Sequence, residues 1–409
     1  MKAESKPTVL VFRRHLIPPS ETFISEQVLA YQRWKGILIG NRRRPQDLPL
    51  DPHEVIWLDH PPSKWTRLWR RMRGLHGDPG WGGIHSALAE CDPTTIARLQ
   101  QTGASLMHAH FGVDGVGAWP LAEALGIPLL VTLHGYDIAY RASWWKDGAG
   151  GKEMREYPEK LLELACKSNV HFIAVSEYLY EQAISFGIPE SRIATLYTGV
   201  DTDKFSPGGS SIAMREPQVL FVGRLVEMKG CRYLIEAMQH VQRSVPHTKL
   251  VIAGHGPLMA NLKQLARSLA VKADFRGVVS PAEVRGELNR SRLLCLPSVH
   301  ASNGHFESFG MVLLEAQAMG IPVVTSAPAG RGEAVVDGRT GFYVQERDSS
   351  ALADRITALL RDDALAQSMS TAARQLIQER FDIRLCSKRL EAYYDACSGA
   401  APIGHGQIS

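Results

Sequence analysis

The stretch His305-Phe-Glu-Ser-Phe-Gly-Met-Val-Leu-Leu-Glu315-Ala decides how this chain is read. An apolar run, Leu293-Leu-Cys-Leu-Pro297, stands before it; Gly320, Pro322 and a second apolar run, Val323-Val-Thr325, stand after it. The order is strand, loop, helix, strand. The spacing puts Glu307 at the mouth of a helix that begins near Ser308-Phe309-Gly310-Met311, and Glu315 two turns inside it. Ionised carboxylates only accept hydrogen bonds, and the first N–H groups of a helix have no partner within it. Two acceptors beside unpaired donors and the positive end of a helix dipole suit a ligand that is part sugar and part phosphate.

The same alternation runs outward in both directions. In the first half, apolar runs predict strands at Thr8–Phe12, Gly36–Gly40, Leu106–Met107, Pro128–Thr132, Val170–Val175 and Ile193–Leu196. In the second half they fall at Val219–Val222, Lys249–Ala253, Asp274–Arg276, Leu293–Leu296, Val323–Thr325 and Gly341–Val344. Several lack polar alternation, as expected of parallel strands covered on both faces. Gly126-Ile-Pro128 and Gly320-Ile-Pro322 mark helix stops followed by strand starts. Between the halves, Asp201-Thr-Asp-Lys-Phe-Ser-Pro-Gly-Gly is rich in turn formers and reads as a linker. The expectation is an α/β chain of two doubly wound domains, residues 1–205 and 206–380, with 381–409 forming a final helix and tail that pack back across the first domain.

Whole-chain numbers bound the function. A length of 409 residues is too long for one core. Hydrophobic residues at 44% and charged residues at 22% are ordinary for a globular protein. The net charge of 46 − 42 = +4 gives no reason to expect a nucleic-acid partner. Six cysteines without a C-x-x-C pair fit a reducing cytosol. The start of the chain has no signal-peptide core, and no run approaches the roughly 20 apolar residues of a spanning helix. These features predict a cytoplasmic protein whose membrane contact, if any, is peripheral.

Further residues add chemistry. Arg224 and Lys229 flank the turn after a strand ending at Gly223, the crevice where open parallel sheets bind ligands; alone they are equally well solvated surface charges. Glu315 lies on an otherwise apolar helix face and suits the diol of a ribose, or faces solvent. His134 and Asp137, in Thr132-Leu-His-Gly-Tyr-Asp137, stand at the end of a buried strand and offer a donor and an acceptor; a histidine there is also often structural. Asp201-Thr-Asp203 reads as turn chemistry, and His108-Ala-His110 lacks a third ligand, so no metal is expected. The segment Lys64-Trp-Thr-Arg67-Leu-Trp-Arg70-Arg71-Met-Arg73 sets Trp65, Leu68, Trp69 and Met72 on one helical face among cations. It suits an anionic membrane surface or a core-packed helix equally.

Gly223-Arg224…Lys229-Gly230, Gly254-His-Gly256-Pro257, Glu307-x₇-Glu315, Gly320-x-Pro322, Asp337-Gly-Arg-Thr-Gly341 and the segment Thr198–Pro207, in this order, resemble family 4 of the retaining glycosyltransferases with the GT-B fold. His108-Ala-His-Phe-Gly112 and His134-Gly-Tyr-Asp137 extend the resemblance into the first half, and Pro19-Ser-Glu-Thr-Phe23 is similar to its exopolysaccharide branch, including colanic-acid-type enzymes. The resemblance implies two Rossmann-like domains facing across a cleft and transfer of a hexose from a nucleoside diphosphate sugar without metal or cofactor. By the same resemblance Arg224 and Lys229 bind the diphosphate, Glu307 holds sugar hydroxyls, and Glu315 binds ribose. The amides of Phe309, Gly310 and Met311, with Ser308 and the glycines Gly254 and Gly256, line the donor. Backbone near Arg276–Val279, Val278 included, reads the base, with a UDP-sugar favoured and GDP-mannose the other choice. His134 and Asp137 stand by the reacting sugar, and Ser20, Glu21, Thr22 and His110 belong to the acceptor side. The implied acceptor is a polyprenyl-diphosphate-linked oligosaccharide. The family's Gly-Gly pair in the first loop is replaced here by Pro18-Pro-Ser20-Glu-Thr22, where Ser20 is placed to cap the next helix. A sugar-nucleotide epimerase, transfer to a small soluble acceptor, and a non-catalytic nucleotide-sugar-binding protein are the rival readings.

Overall fold

A computed structural model of the chain describes residues 6–18, 21–41, 47, 49–58, 91–209, 211–328 and 332–399. Contacts divide it into two compact units. The first takes the described residues up to Val175, Tyr180–Leu196 and those from Ser387 onward; the second takes Ser176–Leu179 and Tyr197–Cys386. The predicted basic segment 64–73 and Ser20 lie outside the described residues.

In the first unit the described strands are β1 (Thr8–Phe12), β2 (Lys35–Gly40), β3 (Glu54–Trp57), β4 (Ala104–His110), β5 (Leu129–Leu133), β6 (Val170–Ala174) and β7 (Ile193–Thr195). They form one sheet in the order β3-β2-β1-β4-β5-β6-β7, with every pairing parallel. Val9, Leu10, Val11 and Phe12 are all fully buried, which explains why β1 reads as an unbroken apolar run. β3 is an edge strand that the apolar-run criterion does not detect, since Glu54-Val-Ile-Trp57 is short and only half-buried. Around this sheet, helices α1 (Thr22–Leu29), α2 (Gly112–Leu125) and the short α3 (Tyr136–Ala139) follow β1, β4 and β5.

Helix α4 (Glu177–Phe186) leads toward β7. The second unit then repeats the plan with β8 (Glu216–Val222), β9 (Lys249–Ala253), β10 (Ala273–Gly277), β11 (Ser291–Leu296), β12 (Val323–Thr325) and β13 (Gly341–Tyr343), in the order β10-β9-β8-β11-β12-β13. Its pairings are parallel as well. Helices α5 (Cys231–Ser244), α6 (Pro281–Arg290) and α7 (Met311–Ala318) follow β8, β10 and β11.

Each strand order reverses once: between β1 and β4 in the first sheet, and between β8 and β11 in the second. In open α/β sheets the crevice outside the strand ends at such a reversal is where ligands bind. The loops after β1, β4, β8 and β11 therefore matter most, and they carry Arg13, Phe111, Arg224 and Glu307.

The last helix, α8 (Ile383–Cys397), starts with residues of the second unit and continues from Ser387 in the first. Leu390, Tyr393, Tyr394 and Cys397 join Val9, Val11, Leu38 and Leu106 in one apolar cluster. Glu391 Oε1 accepts the N–H groups of Gln32, Arg33 and Trp34 at 2.7–2.9 Å. The helix thus closes the first unit by burying its apolar stripe and tying down a bend. Asp201 accepts the N–H groups of Asp203 and Lys204, a local turn. Among the described residues no helix is long and apolar enough to cross a membrane.

Candidate functional site

In the second unit the site is built from strand-end loops. After β8 the chain makes a single 3-10 turn, Glu227–Lys229, that stops at Gly230. Gly230 has φ +62°, and a Cβ there would run into the Pro297 carbonyl, so only glycine lets this turn lie on the end of β11. Val299 N–H donates to the Met228 carbonyl at 2.8 Å. Glu227 accepts the Ser302 N–H and hydroxyl at 3.1 and 2.7 Å. These contacts fasten the β8 turn to the loop that carries Glu307.

The result is an ion pair between Lys229 Nζ and Glu307 Oε2, with 15% and 9% of the two side chains exposed. Ser298 Oγ reaches the same carboxylate oxygen at 3.4 Å. Arg224 is exposed nearby. Burial, reinforced by the charge of Arg224, lowers His305 to about 4 and keeps it neutral, with Glu307 opposing and Lys229 adding to the shift.

Helix α7 begins at Met311, the last residue of the stretch 308–311 in which the sequence places its start. Ser308 and Phe309 form a bend, and Gly310 is the N-cap at φ +81°. Phe309 is buried and stacks on Tyr197 at 5.4 Å, while the Ser308 carbonyl accepts the Ser176 hydroxyl at 2.7 Å. The amides of Met311 and Val312 open the helix as first-turn donors. Glu315 is half-buried within it. The β9 loop closes against the β8 loop: Leu225 N–H donates to the His255 carbonyl, and a Cβ on Gly256 would come 2.5 Å from the Leu225 carbonyl. Gly254 donates to the Gly277 carbonyl at the end of β10, next to Val278, whose side chain is exposed. A cleft of about 430 Å³ opens beside this strand end, lined among others by Arg276, Val279 and Glu283.

The first unit gathers a second cluster. His110 ends β4, and its Nδ1 lies 3.1 Å from His134 Nε2. Asp137 is fully buried, and its oxygens accept the N–H groups of Gly112 (2.5 Å) and His134 (2.6 Å), so it clamps the β5 loop to the start of α2. Burial raises Asp137 to about 6 despite those two backbone donors. His108 bonds Tyr394 Oη at 2.6 Å and Thr132 Oγ1 at 2.7 Å. Burial lowers His108 and His134 to about 3, and lowers His110 well below its ordinary value, with the nearby His108, His134 and Arg13 adding to the shift. Among the described residues no group of three or more His, Cys, Asp or Glu has the geometry of a metal site.

Glu21 is the N-cap of α1, the place expected for a capping Ser20, and makes no side-chain cap. Its carboxylate instead takes two hydrogen bonds from Arg13, at 2.8 and 2.7 Å; Arg13 also binds Asp114 at 2.5 Å and lies over Phe111. Burial works against the Arg13 charge, but Asp114 and Glu21 outweigh it and raise its pKa. Thr22 opens α1.

The fold thus brings Arg224, Lys229, Glu307, Gly254, Gly256 and the 308–311 backbone together in one unit, and His110, His134, Asp137 and Glu21 in the other. Motif reading missed Arg13, Asp114 and Glu227. The signals were present: Arg13-Arg14 directly after β1, an acid at the start of the glycine-rich α2, and an acid inside Arg224…Lys229.

Residues 203–376 match the family model for glycosyl transferases group 1, and residues 52–204 match that for Glycosyltransferase Family 4. The chain belongs to the family 4 glycosyltransferases. It is 27% identical over 359 residues to the putative colanic acid biosynthesis glycosyltransferase WcaL of Escherichia coli K12, covering 83% of this chain and 85% of that one. It is 32% identical over 280 residues to glycogen synthase of Mycobacterium tuberculosis, 68% of this chain; it spans only 65% of that protein's length. Among solved structures, Anabaena Alr3699/HepE in complex with UDP-glucose superposes with a TM-score of 0.73 at 18% identity, over 95% of this chain and 99% of that one. Sucrose-phosphate synthase from Thermosynechococcus elongatus gives 0.73 at 19%, over 97% and 100%. At those identities the structural neighbours speak for the GT-B fold, with its two parallel-sheet Rossmann-like domains.

Proposed function

We propose that this family 4 glycosyltransferase moves a hexose from a nucleoside diphosphate sugar to an acceptor hydroxyl with retention of anomeric configuration. The observation that carries the reading is the Lys229–Glu307 pair at the β8/β11 reversal, held beside the first turn of α7. As the sugar–phosphate bond breaks, charge develops on the leaving diphosphate. Lys229, Arg224 and the helix amides are placed to stabilise it without a metal. Glu307 then accepts sugar hydroxyls, and Glu315 the ribose diol.

A UDP-sugar is the favoured donor, supported by the Anabaena neighbour that was solved with UDP-glucose. The acceptor is a polyprenyl-diphosphate-linked oligosaccharide in exopolysaccharide, capsule or O-antigen synthesis. The relative named for colanic acid biosynthesis supports this choice, since it aligns over most of both chains. Segment 64–73 gives the enzyme a peripheral hold on an anionic membrane. A second reading, transfer to a soluble glucan, is favoured by the glycogen synthase relative alone.

A thermal-shift series against UDP, GDP, ADP and their sugars tests the donor. A nucleotide present at 100 times its Kd adds about 2.7 kcal/mol of stability. Absence of any nucleoside diphosphate binding overturns the reading. Activity of the same preparation on lipid-linked and glucan acceptors separates the two acceptor choices.

A further inference from the structure

We infer that Glu346 and Arg347 are positioning residues that set Glu307 in place, acting through His300 and Phe306. The inference rests on the reading of Glu307 as the carboxylate that meets the donor sugar.

Glu346 and Arg347 lie in the turn between β13 and the helix Ser349–Arg361. His300 lies in the loop from β11 to α7, the loop that carries Glu307. Glu346 spends both carboxylate oxygens on this one residue: Oε2 accepts the His300 N–H at 2.9 Å, and Oε1 lies 2.5 Å from ring Nδ1. A carboxylate only accepts, so the ring donates that second bond. Arg347 Nη2 donates to the His300 carbonyl at 2.6 Å, and Tyr178 Oη meets ring Nε2 at 2.9 Å. Arg347 has φ +64°, a left-handed conformation that suits glycine and costs an arginine. Strained residues persist where their surroundings hold them. Here the guanidinium rests on the His300 carbonyl and lies 3.9 Å from Glu346.

The clamp reaches Glu307 through Phe306. The Phe306 ring is buried, edge-on to Tyr178 at 5.1 Å and tilted against His300 at 5.7 Å. Phe306 directly precedes Glu307, so the seat of its ring fixes the direction in which the Glu307 side chain leaves the backbone. Within the loop, Ala301 N–H donates to the His305 carbonyl and Gly304 N–H to the Ala301 carbonyl, at 2.8 and 2.9 Å. The loop therefore moves as one piece, and a shift at His300 carries to Glu307. Val299 and Ser302 fasten the same loop to the β8 turn that carries Lys229. A surface ion pair on flexible side chains contributes little. Glu346 is different: its side chain is only 17% exposed, and its two bonds fall on one residue.

Hydrogen exchange of the full-length protein, read by mass spectrometry on peptides covering 299–307, measures the placement of the loop without substrate. Glu346→Ala and Arg347→Gly are expected to speed exchange there roughly tenfold, with strands β8 and β11 unchanged. Glycine suits the left-handed backbone, so the urea midpoint of Arg347→Gly should hold, which separates placement from stability. In the transfer assay kcat falls about tenfold in both variants, while Kd for UDP, which lacks the sugar, is unchanged. Glu346→Gln keeps one acceptor oxygen for His300 and falls between. In a Glu307→Gln background Glu346→Ala lowers kcat no further, because a residue that acts through another is not additive with it. Exchange at 299–307 that is unmoved in both variants overturns the inference, and so do effects of Glu346→Ala and Glu307→Gln on kcat that multiply. If Glu346→Ala does not fold, Arg347→Gly and Glu346→Gln decide. Wild-type turnover in Glu307→Gln would show that the reading of Glu307 is at fault, and the exchange data, which need no substrate, decide separately whether the clamp places the loop.

Discussion

Lowering the pH from 8 to 5 will destabilise the first unit more steeply than an average domain, and the loss can be worked from its buried histidines. In an unfolded chain each histidine titrates near 6.5. In the folded unit burial holds His108 and His134 near 3, and His110 well below its usual value. Folded-state values are depressed, so the unfolded state binds more protons as the pH falls below about 6.5, and stability present above that value is lost on the way down to about 3. At pH 5 the linkage is about 2 kcal/mol for each of His108 and His134, or about 4 kcal/mol for the two, and His110 adds to it in the same direction. Asp137 works the other way. Its folded value of about 6 exceeds its unfolded one, so the native state takes up a proton first and regains about 1 kcal/mol by pH 5. The net loss of about 3 kcal/mol from His108, His134 and Asp137, which His110 enlarges, compares with the 5–15 kcal/mol that typically holds a domain together. All eight tryptophans precede Val175, and the second unit contains none, so tryptophan emission during urea unfolding reports the first unit. The urea midpoint should fall sharply between pH 6.5 and 5. In His108→Gln the loss between pH 8 and pH 5 should shrink by about 2 kcal/mol. A midpoint that is equal or higher at pH 5 than at pH 8 refutes the reasoning.

Lys229→Ala removes a cation from the leaving group and should lower kcat about 10²–10³-fold; Glu227→Ala, which frees the turn from Ser302 without removing a charge from the donor, should raise the donor KM and cost less in kcat. Steady-state kinetics check both, and donor KM and kcat unchanged in Glu227→Ala would show that the turn needs no anchoring. Tyr394→Phe leaves Tyr31 and the buried Nδ1 of His108 without a hydroxyl partner, and should cost the first unit about 1–3 kcal/mol in urea unfolding while nucleotide binding is unchanged.

What the sequence reveals and what it conceals divide along the range of the interactions. Strands such as Thr8–Phe12 and Lys249–Ala253 are legible because both faces are buried, which removes polar alternation and leaves contiguous apolar runs. The turn after β8 and the loop before α7 are legible because glycine at positive φ and a charged residue recur at short spacing. β3 escapes because an edge strand buries little and so has no run to find. Helix α7 starts at Met311, within the expected stretch 308–311, and the left-handed Gly310 that fixes the first residue is what no composition rule places. Arg13 and Asp114 are 101 positions apart, and Glu391 meets Gln32, Arg33 and Trp34 more than 350 positions away. Such partners are set by which strands the topology makes neighbours. A one-dimensional reading finds the charged residues but cannot tell a clamp from a ligand contact.

Two of the carboxylates singled out in the sequence, Glu307 and Asp137, show why that difference matters. Asp137 has both oxygens filled by backbone N–H groups and is fully buried. Moving a charge onto or off it would break the link between the β5 loop and α2, so it is suited to holding His134 in place and not to proton transfer. Glu307 has one oxygen on Lys229, and part of its surface still reaches solvent. A carboxylate so placed is held at the right spot by a partner that an incoming diphosphate also attracts. In the proposed function the phosphate takes a share of Lys229, and Glu307 turns its lone pairs to the sugar hydroxyls. The ion pair then serves as a pre-set version of the bound state, in which little has to move before the bond to phosphate breaks. Glu307→Gln separates these roles. It keeps an acceptor for the sugar but ends the charge pairing, so donor binding should survive better than turnover. If instead binding is lost while turnover at saturation is kept, Glu307 is holding the ground state and the argument from transition-state charge fails.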